Sequence, residues 1–183
     1  KTIDDVVSGK DVDVIIGGPP CQAYSTAGRV RNGEGMSKDP RNFLFESYVH
    51  ILNHFLPKFF VFENVTGLLS AKANDEYVFP KIVKALSVNY KVTDTPSLLV
   101  QNTADYGVPQ LRKRVIIMGV RKDIKDVDIS DLYKHLTKTH WNPETPESER
   151  KGRIKFVSVR QAIGDLPSVE PGQDASSDKY NYP

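Results

Sequence analysis

The sequence predicts an α/β fold in which strands alternate with helices and crossover connections join them. Two observations carry this prediction. Short apolar runs end at turn residues, as buried strands do, and the segments between them place apolar side chains at helical spacing. Strand, helix, strand, helix and then a β pair is the order of a layered α/β sheet.

The first half of the chain contains a strand, a polar segment and a helix. Residues 12–17 form an apolar run that glycines and prolines stop, which predicts a buried strand. Residues 29–40 are polar and contain glycine, so we expect a long functional loop there. Residues 43–56 carry a broad apolar face at helical spacing, and Pro57 ends that helix.

The second half begins with regular elements and then loses its pattern. Residues 59–63 predict a buried strand and residues 78–88 a helix. Residues 91–100 and 114–121 are β-rich and could pair antiparallel at a sheet edge. Beyond residue 122 the pattern weakens, apart from a short helix near 159–166.

Composition describes an ordinary globular domain. The chain has 183 residues, 39% hydrophobic and 26% charged, and no apolar run of the roughly 18 residues that a membrane span needs. The single cysteine excludes an internal disulfide and a cysteine-rich zinc site. A net charge of +2 does not by itself indicate a nucleic-acid partner, although basic residues cluster in two segments that could meet phosphates. Lys1 in place of Met suggests a partial polypeptide.

Cys21 follows the first strand across a rigid turn, Gly17-Gly18-Pro19-Pro20. Glycines allow close approach of a ligand and prolines stiffen the turn, so the cysteine is a candidate nucleophile. A small buried hydrophobe is an equally good interpretation from position alone.

Two further segments carry candidate polar groups. Glu63 and Asn64 end the second strand, where a partly desolvated carboxylate suits proton donation; a cap or an ion pair is the simpler alternative. Strand alternation predicts that Arg112 and Arg114 lie on one face, where two guanidinium groups could grip a phosphate or a base oxygen. A charged sheet edge is the alternative.

Together, in this order, these segments resemble the cytosine-5 DNA methyltransferases. The resemblance extends from about residue 12 to residue 167. It is carried by the following stretches: Gly18-Pro19-Pro20-Cys21-Gln22, Asp39-Pro40-Arg41-Asn42-Phe43-Leu44-Phe45, Glu63-Asn64-Val65, Gln110-Leu111-Arg112-Lys113-Arg114 and Val159-Arg160-Gln161-Ala162-Ile163-Gly164-Asp165-Leu166-Pro167.

The resemblance implies a role for each matching residue. Cys21 would attack carbon 6 of cytosine, and Glu63 would contact the ring nitrogen and amino group. Arg114 would hold the base's carbonyl oxygen with support from Arg112. Asn64 and Pro20 would fix the loop that carries the cysteine. The remaining implied contacts are Pro19 and Pro20 with the cofactor, and Gln22, Ser25, Arg41, Asn64 and Gln110 with the substrate.

The resemblance also implies the partners. S-adenosylmethionine would supply the methyl group to carbon 5 without a metal, and the substrate would be double-stranded DNA with the cytosine flipped out of the stack. Residues 23–40 would form a mobile lid over the DNA. We expect a monomeric, cytoplasmic protein of bacterial or phage origin, from a restriction-modification setting and not bound to a membrane.

The implied fold is a partial Rossmann-like methyltransferase sheet with helices on both faces and an antiparallel β pair at one edge. Residues 1–122 would hold its later strands, and residues 123–183 a polar connection and the start of the target-recognition region. The glycine-rich cofactor turn of the family is missing, so residues 1–183 alone should bind S-adenosylmethionine weakly or not at all and should be inactive. Tyr24 and Asn42 depart from the family's usual Phe and Gly.

Three alternatives stay open from the sequence. A catalytically silent nucleic-acid-binding or regulatory relative would keep the fold and the basic loops, but it has no need of Cys21, Glu63 and Arg114 together. An RNA cytosine methyltransferase would share the same catalytic set. An unrelated thiol enzyme would need a histidine close in space to the cysteine, from His50, His54, His135 or His140.

Overall fold

The computed structural model describes residues 2–20, 44–73, 75–166 and 172. The chain divides into two compact units. The first, which we call the sheet unit, comprises Lys1–Asn102 and Arg112–Thr137. The second unit comprises Thr103–Leu111 and Lys138–Pro183.

The strands of the described residues are, in chain order, β1 (Val14–Gly17), β2 (Phe59–Val65), β3 (Lys72–Ala73), β4 (Glu76–Tyr77), β5 (Tyr90–Lys91), β6 (Val100–Asn102), β7 (Lys113–Arg121), β8 (His140–Trp141) and β9 (Ile154–Lys155). The α-helices are α1 (Ile3–Val7), α2 (Leu44–Phe55), α3 (Val78–Leu86), α4 (Pro96–Leu99), α5 (Ile129–Lys134) and α6 (Val159–Ile163). Short 3₁₀ turns cover Thr66–Ser70, Thr103–Tyr106 and Glu147–Glu149.

The sheet unit is built on a five-stranded mixed sheet, which confirms the α/β class. Its order is β1-β2-β7-β5, and β6 also pairs with β7. Strands β1 and β2 are parallel, with Gly17 opposite Phe62, and the chain between them includes α2. The long strand β7 runs antiparallel to β2 and pairs with the whole length of β2, from Phe59 opposite Val120 to Val65 opposite Arg114.

The predicted antiparallel pairing with residues 114–121 is present, but residues 91–100 do not form one strand. Pro96 begins α4, and a proline is well suited to the first turn of a helix because its missing N–H has no intrahelical partner there. The segment therefore contributes only β5 and β6, one on each side of α4, and both pair with β7. Consequently β7 lies inside the sheet, between β2 and these short strands.

A tyrosine hydroxyl continues the hydrogen bonding of β7 between the two short strands. Tyr133 Oη accepts from the Met118 N–H at 2.9 Å and donates to the Ile116 carbonyl at 3.1 Å. The ring is buried, and burial raises the pKa of Tyr133 to about 12. The side chain thus serves the backbone of β7 as a partner strand would.

The core lies between helices and the apolar positions of the sheet. Helix α2 was predicted over 43–56 and α3 over 78–88, and both form within those limits. Tyr48 of α2 packs edge-on against Phe62, with ring centroids 5.3 Å apart. Its hydroxyl bonds to the carbonyls of Val61 (3.0 Å) and Ile15 (3.4 Å), so α2 is fastened to both parallel strands.

The second unit is held by polar contacts as well as apolar ones. The buried carboxylate of Asp105 accepts from the Asn142 side chain and lies 3.0 Å from Lys138 Nζ. Strands β8 and β9 pair in parallel, and Arg150 stacks over the Trp141 ring at 4.6 Å. The predicted helix near 159–166 forms over 159–163 and begins with a capping box at Ser158.

Candidate active site

The carboxyl ends of β1 and β2 lie side by side. In the parallel register Gly17 is opposite Phe62, so the turn that follows β1 begins beside Glu63. Open α/β sheets bind ligands at the carboxyl ends of such strands. Cys21 follows this turn in the sequence, four residues after the end of β1.

Glu63 and Arg114 form an ion pair at this edge. Arg114 is opposite Val65, and Glu63 is two residues from Val65, so the two charged side chains share one face and meet diagonally. Arg114 Nε lies 2.9 Å from Glu63 Oε1. The Arg114 side chain is 20% exposed and that of Glu63 42% exposed. The carboxylate is therefore more exposed than expected for the end of an apolar strand, and its partner is a guanidinium.

Asn64 points to the opposite face and is buried. Its Nδ2 donates to the Pro19 carbonyl at 3.3 Å, and its Oδ1 accepts from the Val65 N–H at 2.9 Å. The amide therefore ties the end of β2 to the turn that leads to Cys21. The role of Asn64 in fixing the loop that carries Cys21 stays a prediction.

Tyr48 of α2 stabilises the same pair of strands through its hydroxyl group. The sequence pattern did not single out this contribution. Its hydroxyl bonds bracket β1 and β2, and burial raises its pKa. The available signal was its place on the apolar face of α2. A tyrosine there predicts a core residue and gives no information about the partner of its hydroxyl.

The other predicted site residues are distributed as follows. Arg112 is exposed and precedes β7, so the alternation that places Arg114 beside Glu63 does not include it. Gln110 is exposed and belongs to the second unit, where its backbone carbonyl accepts from Thr103 Oγ1 at 2.6 Å. Pro20 is exposed after β1.

Several predictions concern residues outside the described ranges. These are Cys21, Gln22, Ser25 and Arg41, together with the lid expected over residues 23–40.

The described residues were also compared with the requirements of a metal site and of a membrane-spanning helix. No group of three or more His, Cys, Asp or Glu side chains is placed to hold a metal ion there. In the same ranges, no helix has the length and apolar character needed to span a bilayer.

Comparison with known proteins identifies the family. The family model of the C-5 cytosine-specific DNA methylases matches residues 2–182. The Type II methyltransferase M.FnuDI of Fusobacterium nucleatum is 46% identical over 163 residues, covering 88% of this chain and 40% of the relative. M.Bpa9945I of Bacillus paralicheniformis is 39% identical over 176 residues, covering 93% and 36%.

A solved structure agrees with these relatives. A crystal structure described as a DNA modification methyltransferase encoded within an E. coli prophage superposes with a TM-score of 0.60 at 28% identity, covering 91% of this chain and 39% of that one. The chain spans 36% to 40% of the length of the two curated relatives above. With a family match over nearly all its residues, this chain belongs to the C-5 cytosine-specific DNA methylase family.

Proposed function

We propose that the full-length protein transfers a methyl group from S-adenosylmethionine to carbon 5 of cytosine in double-stranded DNA. The observation that carries the proposal is the Glu63–Arg114 ion pair, which lies beside the end of β1, the strand from which the chain continues to Cys21. Family membership supports the same reaction. The Type II relatives support a restriction-modification setting in a bacterial cytoplasm, where the DNA is.

The chemistry needs a nucleophile because cytosine is a poor electrophile. Cys21, as a thiolate, attacks carbon 6 and forms a covalent adduct, and negative charge moves onto the ring. Carbon 5 would then take the methyl group that bound S-adenosylmethionine supplies, with S-adenosylhomocysteine as the leaving group. Transfer of the carbon 5 proton to water or another base leaves the electrons of that C–H bond to re-form the carbon 5–carbon 6 double bond, and the thiolate leaves carbon 6 with the electrons of the C–S bond.

Glu63 and Arg114 stabilise the ring while it carries charge. The Glu63 carboxyl group contacts the ring nitrogen and the amino group, the positions that become more basic when the thiolate adds. A guanidinium has five N–H donors in a planar fork. Arg114 can therefore hold Glu63 through Nε and still direct another N–H at the base's carbonyl oxygen.

The turn after β1 orients the nucleophile. Asn64 binds the Pro19 carbonyl, and two consecutive prolines restrict the backbone just before Cys21. Pro19 and Pro20 also offer a rigid apolar surface at the carboxyl edge of the sheet, which suits contact with part of S-adenosylmethionine. Two prolines supply no donors for its ribose or amino-acid groups, so those contacts must come from other residues.

DNA is the proposed substrate, with the target base flipped out because carbons 5 and 6 are hidden in the stacked duplex. We propose that the basic side chains of residues 23–41 contact phosphates, that Gln22, Ser25 and Gln110 contact the substrate, and that residues 123–183 lead into target recognition. Arg112 supports Arg114 in this scheme. A monomer is sufficient for this chemistry.

The test is methyl transfer by the full-length protein from labelled S-adenosylmethionine to unmethylated duplex DNA and to RNA of matched sequence. We expect label on DNA, at carbon 5 of cytosine. Label on RNA alone would replace the substrate and keep the chemistry. No label on either nucleic acid would contradict the proposed reaction.

Variants test the named residues in the same assay. Cys21→Ser should abolish transfer, and Glu63→Gln should lower the rate of the chemical step on the order of 100-fold or more. Glu76→Gln is the matched control, because Glu76 also forms an ion pair, with Lys81 in the sheet unit, yet lies outside the site. Full activity of Cys21→Ser would show that the cysteine is structural.

A further inference from the structure

Gly18 lies against the carboxylate of Glu63. A Cβ added to Gly18 would be 2.8 Å from Glu63 Oε2, 3.5 Å from its backbone oxygen and 3.8 Å from its Cβ. The backbone of Gly18 does not have a positive φ, so an alanine there would not meet the strain of the left-handed region. Glycine is needed at this position because there is no room for a side chain beside Glu63, and not because the backbone has an unusual conformation.

Two other glycines of the sheet unit also face side chains, but those neighbours are rigid. A Cβ at Gly17 would be 2.7 Å from the buried ring of Tyr48, and one at Gly119 would overlap the buried ring of Phe60. Neither ring can move without disturbing the core. At these two positions, glycine is needed for packing.

The neighbour of Gly18 is different because it is the end of a flexible side chain. Glu63 is 42% exposed, so its carboxylate can rotate toward solvent if a methyl group takes its place. Such a rotation leaves the core unchanged. It does move Oε1 away from Arg114 Nε, which it now meets at 2.9 Å.

We propose that Gly18 is a positioning residue for the Glu63 carboxylate. Because Gly18 has no side chain, Glu63 Oε2 can lie against the turn after β1. This placement fixes the direction in which Oε1 meets Arg114. The inference rests on the proposed function, in which Glu63 contacts the cytosine ring. A methyl group at residue 18 then harms catalysis by displacing a carboxylate, while the fold remains stable.

The kinetic test is Gly18→Ala in the full-length protein, assayed by single-turnover methyl transfer. We expect a fall in the rate of transfer on the order of 100-fold, as misplacement of a reacting group by about 1 Å produces, with the half-saturating concentration of S-adenosylmethionine unchanged. The melting temperature should stay close to that of the wild type. A Gly18→Ala protein that does not fold would contradict the proposal.

A double-mutant cycle separates this role from an effect on the loop that carries Cys21. In a Glu63→Ala background there is no carboxylate to displace, so Gly18→Ala should cost almost nothing further. If Gly18→Ala instead slows transfer by the same factor in both backgrounds, the glycine acts through the loop and the proposal is wrong.

A spectroscopic measurement makes the result independent of activity. The Nε–H signal of Arg114, identified by its loss in Arg114→Lys, reports the contact with Glu63 in a ¹⁵N-labelled sample. Gly18→Ala should move this signal to its position in Glu63→Ala, whereas an unchanged signal would overturn the proposal. Failure of the proposed function would look different, because either the wild-type protein would transfer no methyl group or Glu63→Ala and Cys21→Ser would retain transfer.

Gly17→Ala is the matched control. It makes the same chemical change one residue earlier, against the ring of Tyr48. We expect it to lower the melting temperature and to leave the Arg114 Nε–H signal in place in the molecules that fold. If Gly17→Ala instead moved the Arg114 signal and Gly18→Ala lowered the melting temperature, the positioning role would not belong to Gly18.

Discussion

Arg114 reaches Glu63 diagonally across two antiparallel strands, with its Nε 2.9 Å from Oε1. The residue opposite Arg114 is Val65, so the contact depends on the register of β2 and β7. A slip of one residue would turn one of the two side chains to the other face of the sheet. The register that buries Phe62 and Ile117 is therefore the register that assembles the charged pair.

Arg114→Lys should lower methyl transfer on the order of 100-fold while the fold stays stable. Lysine keeps the charge but has no planar fork, so it cannot hold Glu63 and a base oxygen together. The measurement is single-turnover transfer beside a denaturation curve. Arg121→Lys, which alters an Arg–Asp ion pair at the other end of β7, should leave transfer unchanged. Equal loss in both variants would mean that replacing either guanidinium of β7 lowers transfer, and it would contradict a specific role for Arg114.

Asn64→Ala should reduce both stability and activity. It removes the donor to Pro19 and the acceptor for the Val65 N–H at a position only 4% exposed, which costs about 1–3 kcal/mol. The rate of transfer should fall because Pro19 precedes Cys21 by two residues. Denaturant unfolding and single-turnover transfer measure the two effects. Asn53→Ala, at an exposed asparagine, should change neither stability nor the rate of transfer. Wild-type rates in Asn64→Ala would show that the Asn64 amide does not position the turn.

Gly119→Ala should destabilise the sheet unit by about 1–3 kcal/mol, because the added methyl group overlaps the ring of Phe60 on the neighbouring strand. Phe60→Leu removes that ring, so the double variant should be more stable than the sum of the single effects predicts. Urea unfolding of the four proteins gives the coupling free energy. Additive effects would mean that the ring moves aside at no cost.

Tyr133→Phe should destabilise the protein by about 1–3 kcal/mol, although it removes only one oxygen atom. The change leaves the Met118 N–H and the Ile116 carbonyl without the hydroxyl that now satisfies them. Thermal or urea unfolding measures the loss. Tyr77→Phe is the control, because it keeps an exposed ring beside Lys72. Its free energy of unfolding should stay within about 0.5 kcal/mol of the wild-type value, as is usual for surface substitutions.

Stability should also fall in alkaline solution through the same tyrosine. Burial raises the pKa of Tyr133 from 10.0 to about 12, so the folded state keeps a proton that the unfolded state loses first. The stabilising contribution is complete below pH 10 and is lost as the pH rises from 10 to about 12, at about 1.4 kcal/mol per pH unit. Urea unfolding across this range should show a smaller slope for Tyr133→Phe. Parallel curves would mean that the hydroxyl ionises as it does in water.

The elements and the candidate residues could be predicted where a local pattern defines them. The strand before Gly18, helix α2 and strand β2 each follow from an apolar run or an apolar face with a clear stop signal. The prediction that residues 91–100 form one strand was wrong. The segment is rich in β-forming residues, but its proline begins a helical turn. The central place of β7 was missed because pairing partners are chosen by tertiary contacts.

The amino-acid sequence alone defines the chemical groups and their order: a cysteine after one strand, a carboxylate and an amide ending the next, and an arginine entering a third. Which of these groups meet depends on the tertiary fold. Strand register brought Arg114 to Glu63, a side-chain amide joined Asn64 to Pro19, and the missing Cβ of Gly18 gave the carboxylate its place. No local pattern predicts these contacts, because apolar periodicity relates near neighbours in the chain and these contacts join residues 45 to 51 positions apart.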